Sequence, residues 1–448
     1  MKQTYSIDMI NGPLLKNIVL FAVPLMFTNF LQILFNAADT IVVGKFAGET
    51  ALAAVGATGS IVFLITSLFN GLATGSNVVI ARCMGIKKDE LISRAVHTSI
   101  FVALGGGAIL TVIGFIFARS FLIAMSTPKD IIDLSHLYMQ IYFCGSLFLL
   151  VYDFGAAILR SKGDTQRPLY FLFAGGILNV VLNLIFVIVF QMSVAGVAIA
   201  TVVSQAVSAC LVLIALVKEE DATHLDFRKL RLDETIAWDI IKIGVPAGIQ
   251  GIVFSLSNVV IQSNINSFNS STIVAANSAG ANIENFAYIG MMAFTQATIT
   301  FTSQNMGAGK KDAVLKIMLV TLALTVLSSL LISALVYGFG NTLLGFYTNE
   351  AMVREYGMIR LKYVVVWLFL NGILDVFVCS MRGMGVSTLP TLLMIIGICG
   401  LRLAWLYFAF PYYQTLESIY ICFPISWLFT SIIQFILWIF VYKKNVKI

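Results

Sequence analysis

Along the chain the polar residues gather into short breaks. Between them lie continuous apolar runs at about residues 15–43, 51–80, 95–117, 131–157, 169–190, 194–217, 237–265, 273–303, 313–339, 353–379, 390–411 and 416–442. A helix needs roughly 20 such residues to cross the hydrocarbon of a bilayer, and every run is that long. Strands of a membrane barrel would instead alternate over segments of about 10 residues. The pattern therefore predicts an all-α polytopic membrane protein with 12 transmembrane helices. The first run starts near Leu14, behind Lys2, and shows no A-x-A-like cleavage site. It is expected to be a retained span, since the apolar core of a signal peptide is shorter.

Composition agrees. Of 448 residues 59% are hydrophobic and 11% are charged, against about 25% charged in a soluble domain, which excludes a soluble enzyme. The six cysteines are scattered with no C-x-x-C pair, as suits buried small hydrophobes better than a disulfide or zinc framework. With the N-terminus in the cytoplasm, 21 of the 28 Lys and Arg fall on that side, from Lys2 through Lys87, Lys88 and Arg94 to Lys447. Six fall on the other side (Lys45, Arg119, Lys129, Arg354, Arg360 and Lys362), and Arg402 lies inside a span. The positive-inside rule then puts both termini of this multi-pass plasma (cytoplasmic) membrane protein in the cytoplasm. One stretch of mixed charge, Lys218 to Glu234, reads as a solvated cytoplasmic linker. It gives an N-lobe at 1–217, a linker at 218–235 and a C-lobe at 236–448.

The two lobes are repeats. Pro24/Pro246, Asn36/Asn258, Ala53/Ala275, Ala54/Ala276, Ala57/Ala279, Met84/Met306, Gly85/Gly307, Asp153/Asp375, Arg160/Arg382, Gly163/Gly385 and Pro168/Pro390 are identical pairs, each 222 residues apart. So many identities at one offset imply internal duplication. Six spans is an even number, so both lobes enter the membrane the same way round. Folds of this kind place a substrate site between their repeats and rock one against the other. A transporter is the class this predicts.

The first span carries N-A-A-D-T-I-V-V-G-K-F-A-G (Asn36 to Gly48), and the fourth ends in L-R-S-K-G-D-T-Q-R-P (Leu159 to Pro168). The eighth carries N-I-E-N-F-A-Y (Asn282 to Tyr288) and F-T-S-Q-N-M-G-A-G-K (Phe301 to Lys310). Together these motifs resemble the multidrug and toxic compound extrusion (MATE) family, of the bacterial type, over essentially the whole chain. The resemblance implies two six-helix lobes and a secondary active antiporter. Such a protein would export organic, often cationic, compounds by alternating access while H⁺ or Na⁺ is taken up.

Asp39 is the leading candidate for the coupling site. A carboxylate at the bilayer centre costs roughly 2.5–3.5 kcal/mol on insertion scales, so it is expected to hold a proton, a cation or a partner. The alternative is a helix-end carboxylate near the outer surface. Asn36 shares its helix face, and Pro24 can bend the same helix. Asn179 and Asn183 are four apart on one face, and Thr201 lies a few turns into the next span, at comparable depth. One carboxylate and three neutral oxygens suit a hard cation, which makes Asp39, Asn179, Asn183 and Thr201 a candidate Na⁺ site. The resemblance implies the same N-lobe set. Some family members carry an aspartate where Asn183 stands, so Na⁺ against H⁺ stays open. So does a purely structural role for the two asparagines as interhelical hydrogen bonds.

In the C-lobe, Glu284 lies about 16 Å into its span at 1.5 Å per residue. With Asn277, Tyr288 and Thr295 it forms a polar stripe on one helix. An acid beside an aromatic suits an organic cation, and the alternative is a protonated, internally hydrogen-bonded glutamate. Some family members carry a glutamate in the seventh span, but Pro246 to Ser257 has none. Asp153 and Asp375 each precede an arginine (Arg160 and Arg382) by seven residues, which suits an internal ion pair or a secondary substrate role. Arg402 is expected to meet an acid such as Asp375, or carbonyls. No H-E-x-x-H, G-x-S-x-G or G-x-x-x-x-G-K-[ST] motif is present, so neither an enzyme nor an ATP-driven pump is expected. The expected cofactors are none beyond the coupling ion. The expected partners are small organic cations or amphiphiles and membrane lipids, with no nucleic acid, around a monomer. Two further readings are a lipid-linked oligosaccharide flippase, which would want basic residues in its cavity, and a membrane scaffold, which would want no buried carboxylates.

Overall fold

The structure, a computed structural model, describes residues 6–125 and 127–446. Lys2 and Lys447 lie outside the described residues. Every regular element among those described is helical. The first set is α1 (Leu14–Ala47), α2 (Glu49–Ile86), α3 (Asp89–Ala124), α4 (Ile132–Cys144), α5 (Ser146–Ser161), α6 (Gln166–Val189) and α7 (Ser193–Val217). There follow α8 (Glu234–Asn266), α9 (Ser271–Gly307), α10 (Ala313–Gly338), α11 (Gly340–Gly345), α12 (Ala351–Gly383), α13 (Thr388–Phe408) and α14 (Leu416–Val446).

Ten of these helices are each long and apolar enough to cross a membrane. Two of the expected spans differ from a simple apolar rod. The fourth is broken at Gly145 into α4 and α5, which meet at 45°. A Cβ at Gly145 would lie 2.7 Å from Val202 Cγ2 on α7, so glycine allows that close approach at the bend. The eighth, α9, has the length but not the apolarity. Its Asn277, Glu284, Thr298, Thr300, Thr302, Ser303 and Asn305 are all buried, so its polar groups face other helices rather than lipid, where each would want a partner. Asn305 Nδ2, for example, donates to Phe301 O and Met9 O, both at 2.9 Å. Elsewhere the outward faces are apolar: Ile109 and Ile116 of α3 are 57% and 63% exposed, the pattern of a lipid-facing surface.

The chain forms two compact units, one holding Phe27–Gly248 and the other Ile249–Ile448 together with Met9–Met26. Phe27 and Ile249 are themselves 222 residues apart and follow Pro24 and Pro246 by three. Within the first unit, α2 and the start of α8 touch backbone to backbone. A Cβ on Gly71 would lie 2.3 Å from Gly248 N and 2.4 Å from Gly244 O, so only glycine permits this crossing. In the second unit Phe21 meets Phe301 edge-on, with centroids 5.6 Å apart.

Most linker residues are exposed, and ion pairs also fasten the linker to helices of the first unit. Lys162 Nζ contacts Glu219 Oε2 at 2.5 Å and also Asp221. Arg167 bridges Asp164 and Glu219. The amide of Asp226 donates to His97 Nε2 at 3.1 Å, and Arg94 pairs with Asp233. This network accounts for three of the four charges in the L-R-S-K-G-D-T-Q-R-P motif, Lys162, Asp164 and Arg167, and leaves out Arg160. At the repeat offset, Lys162, Asp164 and Arg167 correspond to Met384, Val386 and Leu389. Met384 and Val386 join an apolar cluster with Met381, Phe377 and Trp438, so the same corner is ionic in one unit and hydrophobic in the other.

Candidate functional site

Two buried polar clusters stand out, one in each unit. The first is built on α1, α6 and α7. The four-residue spacing of Asn179 and Asn183 puts both on one face of α6. Asn183 Nδ2 donates to Asp39 Oδ1 and, at 3.2 Å, to Asn179 Oδ1. Asn179 Nδ2 in turn donates to Thr201 Oγ1 at 3.4 Å, and that hydroxyl donates to Val197 O at 3.0 Å. Asn179 and Asn183 are buried, and Asn183 Oδ1 has no hydrogen-bond partner among the described residues. The structure thus joins four of the five expected residues. Asn36 is not joined: it is exposed, and its carbonyl accepts from Thr40 Oγ1 at 2.9 Å.

The backbone next to this cluster is irregular. α1 ends in a π-helical turn at Val43–Ala47 and α6 in another at Ile185–Val189, just beyond Asp39 and Asn183. Such turns recur at functional sites because they re-aim neighbouring side chains. Val42, Val43, Val187, Val194 and Val197 pack together there, with Tyr138 against them. No three His, Cys, Asp or Glu side chains gather as metal ligands among the described residues. A cation here would therefore rest on one carboxylate and neutral oxygens, a donor set that suits a hard monovalent ion. The orphaned Asn183 oxygen fits that demand.

The second cluster centres on a residue that the sequence reading had left at the outer surface. Arg360 is buried. Its Nε and Nη2 donate to Glu284 Oε2 at 3.1 and 2.6 Å, and its Nη1 donates to Asn277 Oδ1. Tyr420 Oη donates to the same Asn277 oxygen at 3.0 Å, and Asn277 Nδ2 donates to Gln262 Oε1 at 2.7 Å. The guanidinium stacks over Tyr420 and Phe423, 5.6 and 5.9 Å from their centroids. A Cβ on Gly280 would lie 2.9 Å from Arg360 Cδ, so that glycine makes room for the arginine. Again a π-helical turn, Leu361–Val365, follows at once.

In this arrangement Glu284 and Asn277 turn to Arg360 instead of lining an open site. Both are committed to Arg360, so the charge expected to meet an organic cation is already neutralised within the chain. Tyr288 is half-buried against the core of its unit. Asp153 and Asp375 form no salt bridge with Arg160 or Arg382 among the described residues. Asp375 Oδ2 accepts from Asn371 Nδ2 at 3.4 Å, and Arg382 Nη2 donates to Gln250 Oε1 at 2.9 Å and Thr391 Oγ1 at 3.3 Å. Arg402 does not meet Asp375 either. Its Nε donates to Ser426 Oγ at 3.2 Å, and its guanidinium lies 4.1 Å from the Phe423 centroid. Neither cluster is a copy of the other. At the 222-residue offset Asp39 corresponds to Ile261, while Asn277, Glu284 and Arg360 correspond to Val55, Val62 and Tyr138.

Comparison with known proteins gives the following likenesses. The MatE family model matches the chain twice, at residues 24–185 and 246–408. The probable multidrug resistance protein YoeA of Bacillus subtilis (strain 168) is 26% identical over 440 residues, 96% of this chain and 94% of that protein. A second protein of that organism, the probable multidrug resistance protein YpnP, is 31% identical over 309 residues, 68% of each chain. Among solved structures, a multidrug resistance MATE family transporter of the MOP superfamily in an outward-facing conformation superposes with a TM-score of 0.92. The two are 23% identical, and the match covers 100% of both chains.

Proposed function

The chain belongs to the multidrug and toxic compound extrusion (MATE) family of membrane transporters, and on that premise we propose that it exports organic, often cationic, compounds in exchange for H⁺ or Na⁺ by alternating access. Both termini face the cytoplasm in this reading, and the monomer is the working unit. The coupling ion binds at Asp39, Asn179, Asn183 and Thr201.

The observation that carries this reading is the Asn183 amide. Its two N–H groups tie Asp39 Oδ1 to Asn179 Oδ1, while its own oxygen is buried without a partner among the described residues. Turning the amide over would bring three oxygens together, with Thr201 Oγ1 beside them, an arrangement that repels itself until a cation sits among them. A proton on Asp39 would relieve the same repulsion. Either ion shifts the equilibrium between transport states only by its differential affinity for them. One inward charge supplies about 2.3 kcal/mol per 100 mV of membrane potential, enough for a roughly fiftyfold gradient of an uncharged substrate, whereas one-for-one exchange against a monovalent organic cation moves no net charge and draws on the ion gradient alone. The test is efflux of a fluorescent organic cation from vesicles holding the purified protein, under a Na⁺ gradient or a pH gradient imposed separately. Efflux under at least one gradient supports the proposal, and none under either, across several cationic dyes, contradicts it.

A further inference from the structure

The first unit holds a second feature that export chemistry does not use. Where α3 and α8 begin, at one face of the membrane, a cavity of about 480 Å³ opens between α3 and the linker. It is lined by Arg94, His97, Arg228, Lys229 and Arg231, with Glu90 the acid among its lining residues. Arg94 is paired with Asp233, and Lys229 Nζ lies 3.9 Å from Asp226 Oδ2. The Arg228 and Arg231 guanidiniums have no partner among the described residues. The wall is also built rather than loose: His97 is buried, its Nδ1 lies 2.6 Å from Ser93 O, and its Nε2 accepts the Asp226 amide. Asp226 then accepts from the Arg228 amide at 3.0 Å and caps the short turn Phe227–Lys229.

Exposed apolar side chains adjoin these cations in sequence. Phe227 is 53% exposed, Leu232 48% and Trp238, one turn into α8, 64%. The segment Phe227-Arg228-Lys229-Leu230-Arg231-Leu232 mixes basic and apolar residues at the end of two spans, the composition that holds a protein segment against an anionic membrane surface. A soluble anion would account for the arginines but not for the exposed rings. We propose that this cavity holds the phosphate headgroup of an anionic phospholipid, with Arg228 and Arg231 on the phosphate and Phe227, Leu232 and Trp238 against the acyl region. The lipid fastens the linker to the first unit, beside the salt bridges already there.

The test is native mass spectrometry of the detergent-purified full chain, titrated with phosphatidylglycerol or phosphatidylcholine. Arg228→Gln with Arg231→Gln is compared with a control that removes the same charge elsewhere, Lys443→Gln with Lys444→Gln. Wild type and control are expected to retain phosphatidylglycerol over phosphatidylcholine, and the arginine variant to lose about thirtyfold of that preference. An equal loss in the control would mean unspecific charge attraction and would overturn the site. So would an unchanged preference in the arginine variant once its thermal midpoint shows it folded, or no preference in the wild type. Displacement of phosphatidylglycerol by millimolar inorganic phosphate would reassign the cavity to a soluble anion and overturn the lipid proposal.

Discussion

Replacing Glu284 by leucine strands a buried guanidinium. In the wild type Arg360 makes two hydrogen bonds to Glu284 Oε2 at 3.1 and 2.6 Å, and its remaining fork reaches Asn277. Without the carboxylate that cation keeps one neutral acceptor and two aromatic faces. Removing one partner of a buried pair costs about 3–5 kcal/mol, whereas replacing both by apolar groups of similar volume is often neutral or stabilising. Glu284→Leu is therefore expected to lower the thermal midpoint of the detergent-purified protein by several degrees. Glu284→Leu with Arg360→Met is expected to recover most of the loss, since Asn277 Oδ1 still accepts from Tyr420 Oη at 3.0 Å. The assay is thermal unfolding of wild type, both single variants and the double, read as a coupling energy, together with the affinity for a cationic dye. The reasoning fails if Glu284→Leu weakens dye binding while its midpoint stays at the wild-type value. That result would return Glu284 to the substrate.

Other outcomes follow from the same contacts. Gly71→Ala forces a methyl into the backbone of α8 and is expected to destabilise by about 1–3 kcal/mol. Gly56→Ala, whose Cβ would meet nothing within 4 Å, is expected to be neutral or mildly stabilising, and equal thermal shifts for the two would contradict the close crossing. The Arg94 guanidinium, aided by the Ile236 amide, holds the Asp233 carboxyl below the usual carboxylate range. A lowered folded-state value adds stability that is present above the ordinary pKa of about 3.9 and is lost as pH falls through the folded value. Asp233→Asn should therefore lower the midpoint at neutral pH and flatten its fall in acid, and an unchanged acid limb would count against the pair.

The twelve helical runs and their duplication were legible because apolar length and a fixed offset need no tertiary information. The Asp39, Asn179, Asn183 and Thr201 set was legible too, since helical spacing and depth fix which polar groups share a level. Arg360 was missed for a physical reason. It was counted with Arg354 and Lys362 as an outer-loop cation, although it lies nine residues into α12, about 14 Å along the axis. A cation at that depth needs an acid, and Glu284 on α9 was the acid without a partner. The break at Gly145 and the π-helical turns beside Asp39, Asn183 and Arg360 had no signal in composition. They depend on which neighbour presses on each helix.

The central claim is that Asp39 couples ion movement to export. It is tested most directly in vesicles by comparing wild type with Asp39→Asn in two assays, gradient-driven accumulation of a cationic dye and gradient-free exchange of that dye across the membrane. The account expects the variant to keep exchange and lose accumulation, because substrate still binds while the ion no longer shifts the states. Full accumulation by Asp39→Asn under the gradient that drives the wild type would contradict it.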